Sequence, residues 1–424
     1  MLGWGSTPKD EVSFLELSGY MRNQLLRDSD IMKVLHVIPS VATIRGGPSQ
    51  AIIEMVKALR KNDIDAEIVT TNDNGTDLLD VPLGKFIDYQ QVPVQFFPRF
   101  SPPINAIREF SYSGDFTIWL WKNIRNYDLL HIHGIFSYVP TVAMAIARFQ
   151  KVPYIIRPFG LLCEWSLQQK ARKKKLYLKL IEKANLNNTQ SIHFTSITEQ
   201  EEASLLNLTS SSFVLPLGIY TPQRILNARE KLQKYLNIPP DEPIILFLSR
   251  LHPKKGLDYL IPALGKLSHY RFTFIVAGSG DSDYETKVKT LVKTHGIEEK
   301  TQFTGFVKGE TKDLLMQGAD IFALTSYSEN FGISVLESLA AGVPVIVTPG
   351  VALSDIVQQQ HLGYVTELNI NDIATAIQNF LDHPEESKEM GDRAREFILD
   401  NYTWDQVASK MISVYENIIQ SYNL

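Results

Sequence analysis

The sequence predicts an α/β protein built from two doubly wound parallel sheets. Three observations carry this expectation. Strand-length apolar runs alternate with helix-length periodic segments along most of the chain. A proline-containing stretch, Leu215–Pro222, interrupts the alternation near the middle and reads as a linker. Beyond it the alternation restarts, which asks for a second sheet of its own. A length of 424 residues allows two or three domains with sizeable cores.

The first clear strand is Lys33–Ile38, so residues 1–31 precede the fold as an N-terminal extension. The first domain, 32–218, then reads as helix Ser49–Arg60, strand Ala66–Thr71, helix Phe116–Arg125 and strand Leu129–His133. Helix Val139–Phe149, strand Tyr154–Arg157, helix Ser166–Ala184 and strand Ser191–Ser196 complete it. The second domain, 219–403, opens with strand Ile244–Leu248, helix Leu257–Leu267 and strand Phe272–Ala277. Strands Asp320–Thr325, Val343–Thr348 and Gly363–Val365 follow, separated by helical runs.

Composition narrows the function classes. Hydrophobic residues make up 44% and charged residues 21%, as in ordinary globular proteins. A formal net charge of −5 argues against a nucleic-acid partner. Cys163 is the single cysteine, which excludes an intramolecular disulfide and a four-cysteine zinc site. No apolar run approaches the ~18 residues of a membrane span. The opening thirty residues carry Lys9, Asp10, Glu11 and Glu16 without an apolar core, unlike a secretory signal. A cytoplasmic protein is expected.

Chemistry concentrates after the strand Asp320–Thr325. Glu329 and Glu337 bracket Asn330-Phe331-Gly332-Ile333-Ser334-Val335-Leu336, a run read as opening a helix that ends near Ala340. A helix mouth at the carboxyl end of a strand is a natural phosphate site, with free N–H groups and a positive dipole end. The eight-position separation puts the two carboxylates up to ~12 Å apart along its axis, about two turns, so both can face the same way. That reach suits a nucleotide sugar, although two glutamates so spaced also occur on any solvated helix. Upstream, Ser249 and Arg250 leave the strand Ile244–Leu248, and Lys255 precedes the next helix. Two cations aimed at one point suit a diphosphate leaving group without a metal.

In the first domain, Gly46-Gly47-Pro48 would let backbone approach a ligand, and the absence of G-x-G-x-x-G argues against a dinucleotide oxidoreductase. His131 and His133 share one strand face, His133 nearer the carboxyl end.

Glu329–Glu337 resembles the E-x7-E motif of retaining glycosyltransferases, in the Glu-Asn-Phe-Gly-Ile form common in glycosyltransferase family 4. Arg250 and Lys255-Gly256 resemble that family's Arg-x4-Lys-Gly pair. The resemblance covers nearly all of 32–424. It implies the GT-B fold, two Rossmann-like domains facing a cleft, with the helix Trp404–Ser421 crossing back to the first domain so that 404–424 joins it. It also implies a UDP-sugar donor, UDP-glucose as the first choice, and a hexosyl transfer in polysaccharide synthesis.

By the same resemblance Arg250 and Lys255 stabilise the diphosphate, Glu329 holds the sugar hydroxyls, Glu337 holds the ribose and His133 tends the sugar. Gly46, Gly47, Ser249, Asn330, Phe331, Gly332 and Ile333 line the donor, and Phe306-Val307 meet the nucleobase. Arg157-Pro158-Phe159-Gly160 with Glu164-Trp165 resembles a polysaccharide-synthesis branch that includes cyanobacterial members. Arg157, Glu164 and Trp165 are thus candidates for a saccharide or lipid-linked acceptor. The basic helix with Lys170, Arg172, Lys173, Lys174, Lys175, Lys179 and Lys183 offers either a solvated face or a peripheral contact with an anionic membrane. No cofactor or metal is expected. Two alternatives stay open: a non-catalytic nucleotide-sugar-binding module, and a metal-dependent transferase using Asp281 and Asp283.

Overall fold

Apolar and β-branched runs form most of the strands, which are β1 (Lys33–Val37), β2 (Asp65–Thr71), the short polar β3 (Asp73–Asn74) and β4 (Asp77–Leu78), β5 (Phe86–Tyr89), β6 (Val92–Phe97), β7 (Leu129–His133), β8 (Tyr154–Arg157), β9 (Ser191–Phe194) and β10 (Ser212–Val214). Beyond residue 215 come β11 (Ile244–Leu248), β12 (Thr273–Ala277), β13 (Thr301–Gly305), β14 (Ile321–Leu324), β15 (Val345–Val347) and β16 (Gly363–Val365). This computed structural model describes residues 31–422 except Lys170, so the extension expected over 1–31 lies, but for Ile31, outside the described residues.

The strands make two large sheets. One runs β10-β9-β8-β7-β1-β2-β6-β5, the other β13-β12-β11-β14-β15-β16. The second is parallel throughout, and the first is parallel except for the β5–β6 pair. In each sheet the first strand sits inside: β1 between β2 and β7, β11 between β12 and β14. Strand order reverses at those two places, and such switch points leave a crevice beyond the strands' carboxyl ends.

Besides β3–β4 and the edge strand β10, the β5–β6 hairpin is absent from the sequence reading. Its turn uses Gln90 and Gln91, both with positive φ (55° and 67°). A two-residue hairpin needs that backbone, and Asn-Gly is its usual signature, so Gln-Gln gave no signal. A second correction concerns the helix expected over 166–184. It is broken into Glu164–Gln168, Ala171–Tyr177 and Lys183–Leu186, with a π turn at Leu178–Glu182. The π turn delivers the Glu182 carboxylate inward, where it accepts from Thr141 Oγ1 at 2.5 Å and Phe136 N at 3.2 Å.

The C-terminal helix Trp404–Tyr422 lies on the helix Gly47–Lys61 of the first sheet. It buries Trp404, Val407, Ala408, Met411 and Tyr415, and Lys61 pairs with Asp405 at 2.7 Å. The two chain segments that run between the sheets travel side by side. Ile219 N donates to Tyr402 O at 2.7 Å, and Trp404 N donates to Ile219 O at 3.1 Å. A Cβ on Gly218 would strike the Trp404 ring, so only glycine lets the two segments pack here. One apolar cluster consequently runs from β1 and the 47–61 helix through Leu215 and Leu217 into the second sheet.

Candidate active site

A cleft of about 410 Å³ opens at the carboxyl ends of the central strands of both sheets. The first sheet contributes Arg45, Gly46, Gly47, Phe159 and Thr195, and the second contributes Ser249, Arg250, Lys255 and residues 329–334.

The second-sheet wall depends on two loops locked together. Gly256 has φ +69°, and a Cβ there would collide with the Thr325 carbonyl. Thr325 Oγ1 donates to Gly256 O at 3.0 Å, and Tyr327 N donates to Lys254 O at 2.9 Å. Glycine at 256 thus brings the Arg250–Lys255 loop against the loop that carries Glu329. Lys255 Nζ donates to the Glu329 carboxylate.

The helix itself spans Ile333–Ala341, with Gly332 at φ +89° as its N-cap and no side chain capping it. Ile333 and Ser334 of its first turn line the cleft, and the orphan N–H groups of such a turn suit an anion. The expectation that Glu329 and Glu337 share this helix is corrected. Glu329 stands before it, in a loop where its N donates to Gly350 O at 2.6 Å and its O accepts from Ala352 N at 3.1 Å. Left-handed Gly332 breaks the helical path between them, so the two-turn axial separation does not apply. Glu337 accepts from Lys312 Nζ at 2.7 Å and is not among the cleft-lining residues. Phe306 is 68% exposed past the end of β13, and neither it nor Val307 lines the cleft.

The first-sheet wall is held by charge. Arg45 donates to Asp73 at 2.6 and 2.8 Å and to Glu109 at 2.9 Å. Buried Arg99 also pairs with Asp73. This network anchors the turn before Gly46, whose backbone (φ +81°, ψ −149°) is open to glycine almost alone. A Cβ on Gly47 would stand 3.1 Å from Ile333 Cδ1, so the glycine loop faces the helix mouth across the cleft. Asn330 reaches back, its Nδ2 donating to Thr195 Oγ1 at 3.2 Å.

Two candidates sit deeper than expected. His133 and Arg157 are both fully buried and do not line the cleft. Phe159 lies between: its ring stacks on His133 at 5.6 Å and on the Arg157 guanidinium at 4.7 Å. His133 packs in a histidine cluster, 4.2 Å from the His131 ring and with Nε2 3.1 Å from His36 Nδ1. His131 bonds to the Tyr415 hydroxyl at 2.7 Å and to His193 at 3.3 Å. Burial holds His131, His133 and His193 well below the ordinary imidazole value, and pushes His36 down to about 3 with Arg157 adding to the effect. Burial also lowers Arg157 to about 10.

Nitrogens of His36, His131 and His133 lie within 4.8 Å of one another. Both His131 nitrogens are already bonded and a guanidinium stands alongside, so this donor set fits a cation poorly. Asp281 caps the helix Ser282–Thr294 by accepting from Asp283 N at 3.0 Å, and neither aspartate lines the cleft. Glu164 and Trp165 lie outside the lining too, but Trp165 meets the second sheet's loop through Lys254, whose Nζ is 4.4 Å from the ring centroid. Sequence reasoning missed Arg45, Thr195 and Phe159 as cleft residues. Arg45 and Thr195 carry no local motif, and Phe159, within Arg-Pro-Phe-Gly, has no polar group to signal a role.

Two parallel sheets whose switch points face one cleft, with cations and a helix mouth on the second, define a GT-B protein. The glycosyl transferase 4-like domain model matches residues 46–218, and the glycosyl transferases group 1 model matches 228–397. The chain therefore belongs to the family 4 type of glycosyltransferases. An uncharacterized glycosyltransferase of Methanocaldococcus jannaschii is 28% identical over 308 residues, covering 69% of this chain and 76% of that one. A GDP-mannose-dependent alpha-(1-6)-phosphatidylinositol monomannoside mannosyltransferase of Mycobacterium tuberculosis is 28% identical over 51% of this chain and 59% of its own length. Anabaena HepE, solved with UDP and glucose, superposes with a TM-score of 0.71 at 17% identity, covering 91% of this chain and all of its own.

Proposed function

We propose that this chain transfers a hexosyl unit from a UDP-sugar, UDP-glucose in the first instance, to a saccharide or lipid-linked acceptor in polysaccharide synthesis. The observation that carries the reading is the convergence of Arg250, Lys255 and the uncapped first turn at Ile333–Ser334 on one cleft. Fixed cations and backbone dipoles aimed at a leaving diphosphate stabilise charge as it develops. That arrangement requires no metal, and Asp281 is occupied as a helix cap.

In the retaining step, the acceptor hydroxyl bonds to the anomeric carbon on the face from which the diphosphate departs. The anomeric carbon–oxygen bond to phosphate breaks, and the acceptor proton passes to the departing phosphate oxygen. Arg250 and Lys255 hold the diphosphate, Glu329 the sugar hydroxyls, and the Gly46–Gly47 backbone closes the opposite wall. Glu337 reaches a ribose by exchanging its bond to Lys312. The same cleft would also serve a binding module that turns nothing over.

Calorimetric titration with UDP, GDP, UDP-glucose and AMP in chelator tests this. Selective binding of UDP and its sugar, lost in Arg250→Ala, supports the donor and the metal-free clamp. Selectivity for GDP would move the donor to the class named for the mycobacterial relative. Absence of binding by every nucleotide would overturn the reading.

A further inference from the structure

Arg157 ends β8 with its whole side chain buried, and none of its three guanidinium nitrogens has a hydrogen-bond partner. The acid that attracts it, Glu199, is committed elsewhere. Its carboxylate accepts from Gly160 N at 2.5 Å, Thr195 N at 2.8 Å and Thr195 Oγ1 at 2.8 Å. Two ring nitrogens beside Arg157, His36 Nε2 and His133 Nδ1, are equally without partners. Buried donors left unsatisfied are costly, and a cation more so. A cluster of such groups within one small region is a reserve of binding capacity.

One side chain separates that cluster from the cleft. Phe159 covers both Arg157 and His133 with its ring and lines the cleft itself. Its backbone has φ +56°, and Gly160 follows at φ +73°. A bulky aromatic in the left-handed region is strained, and such strain concentrates at ligand clamps and switches.

We propose that Phe159 is a gate over an oxyanion subsite formed by Arg157, His133 and His36, which receives the carboxylate or phosphate of an acidic acceptor sugar. The proposal rests on the glycosyltransferase reading of the cleft. A guanidinium presents a planar fork that pairs bidentately with either oxyanion. A neutral imidazole adds a donor from the nitrogen its tautomer protonates. With the ring swung aside, the acceptor's anionic group would lie on Arg157 and its hydroxyls toward the donor. Selection for an acidic sugar would then come from a charge that the closed cleft conceals.

The test titrates glucuronate, glucose 6-phosphate and glucose into wild type, F159A, R157M and the double variant, each saturated with UDP. F159A should bind one of the acidic sugars at least about tenfold more tightly than glucose, the size of a single charge-assisted contact of ~1.4 kcal/mol. The preferred acid identifies carboxylate or phosphate as the natural group. F159A/R157M should bind all three alike. Equal affinities in F159A, or a preference that survives R157M, would overturn the subsite. R157K, which keeps the charge and loses the fork, replaces R157M if that variant does not fold, and should reduce the preference. UDP binding recorded on the same samples separates the two claims. Intact UDP binding without acid preference removes the gate alone, whereas absence of nucleotide binding in wild type removes the transferase reading.

Discussion

Lys255 donates to the Glu329 carboxylate within the cleft, joining two loops 74 residues apart in sequence. The two groups assigned to opposite ends of a sugar diphosphate thus neutralise one another. On the proposed function, donor binding would be an exchange, with the ammonium moving to phosphate and the carboxylate to sugar hydroxyls. Lys255→Ala should lower turnover by about 10²–10³, the usual cost of removing one charge-stabilising donor. Glu329→Ala should do similar harm, and the double variant should fall well short of the product of the two. Single-turnover donor consumption in the three variants checks this. Wild-type turnover in Lys255→Ala would end its diphosphate role.

Gly46 and Gly256 share a left-handed φ but differ in what surrounds them, and alanine should separate their roles. At Gly256 a Cβ meets the Thr325 carbonyl, so Gly256→Ala must push apart the loops bearing Lys255 and Glu329. A loss of several kcal/mol is expected, well above the ~1 kcal/mol of φ strain alone. At Gly46 nothing lies within 4 Å of the added atom. Gly46→Ala should therefore cost only its backbone strain, about 1–3 kcal/mol, less than Gly256→Ala, yet lose donor affinity, because Gly46 lines the cleft. Melting curves beside UDP titrations distinguish the two, and equal destabilisation would contradict the geometry.

What could be read from the sequence follows the range of the interactions involved. Parallel strands buried on both faces announce themselves as apolar runs, so β1, β7, β11 and β14 were legible, and with them both sheets. Arg250, Lys255 and Asn330-Phe331-Gly332 were legible because strand ends and helix mouths fix where their residues point. Depth was not. His133 and Arg157 terminate strands as expected, but the fate of Phe159, two residues further on, decides that neither reaches the cleft. The helix position of Glu329 was misread because Gly332 could equally continue a helix or cap one, and only the pairing of Glu329 with the 350–352 segment settles it.

Acid should destabilise this protein through its buried histidines. His36, His131, His133 and His193 are all fully buried with folded-state values far below the ordinary 6.5. Below pH ~6.5 the unfolded chain binds protons at these sites and the folded chain does not, so stability falls as pH falls. For His36 that window extends down to about 3. Each histidine contributes up to ~1.4 kcal/mol per pH unit within the window. Melting temperature should thus drop steeply between about pH 6.5 and 5.5, and the drop should shrink in His193→Gln. A flat profile would mean these rings are charged or hydrated in the native state.

Exposed apolar and basic residues on the first sheet's helices motivate the proposal of a membrane contact. Leu176, Leu180 and Ile181 are exposed, Leu180 at 67%, among exposed Arg172, Lys173, Lys175 and Lys179. The neighbouring 138–150 helix, tied to this one by Arg148 and Asn185 at 2.8 Å, ends in Phe149, 74% exposed and 5.2 Å from the Trp121 ring. Lys122, Arg125 and Lys151, near that pair in sequence, are exposed. Lys170, expected to belong to the same basic face, lies outside the described residues. Among the described residues no helix is long and apolar enough to cross a bilayer. Apolar side chains entering an anionic interface, with ~1 kcal/mol from each nearby cation, would hold such an enzyme beside a lipid-linked acceptor. Flotation with phosphatidylglycerol vesicles should recover the protein at low salt and lose it at high salt. Leu176→Ser with Leu180→Ser should weaken recovery further than Lys173→Gln alone. Equal partitioning with neutral phosphatidylcholine vesicles, or none with either, would leave these lysines as an ordinary solvated face.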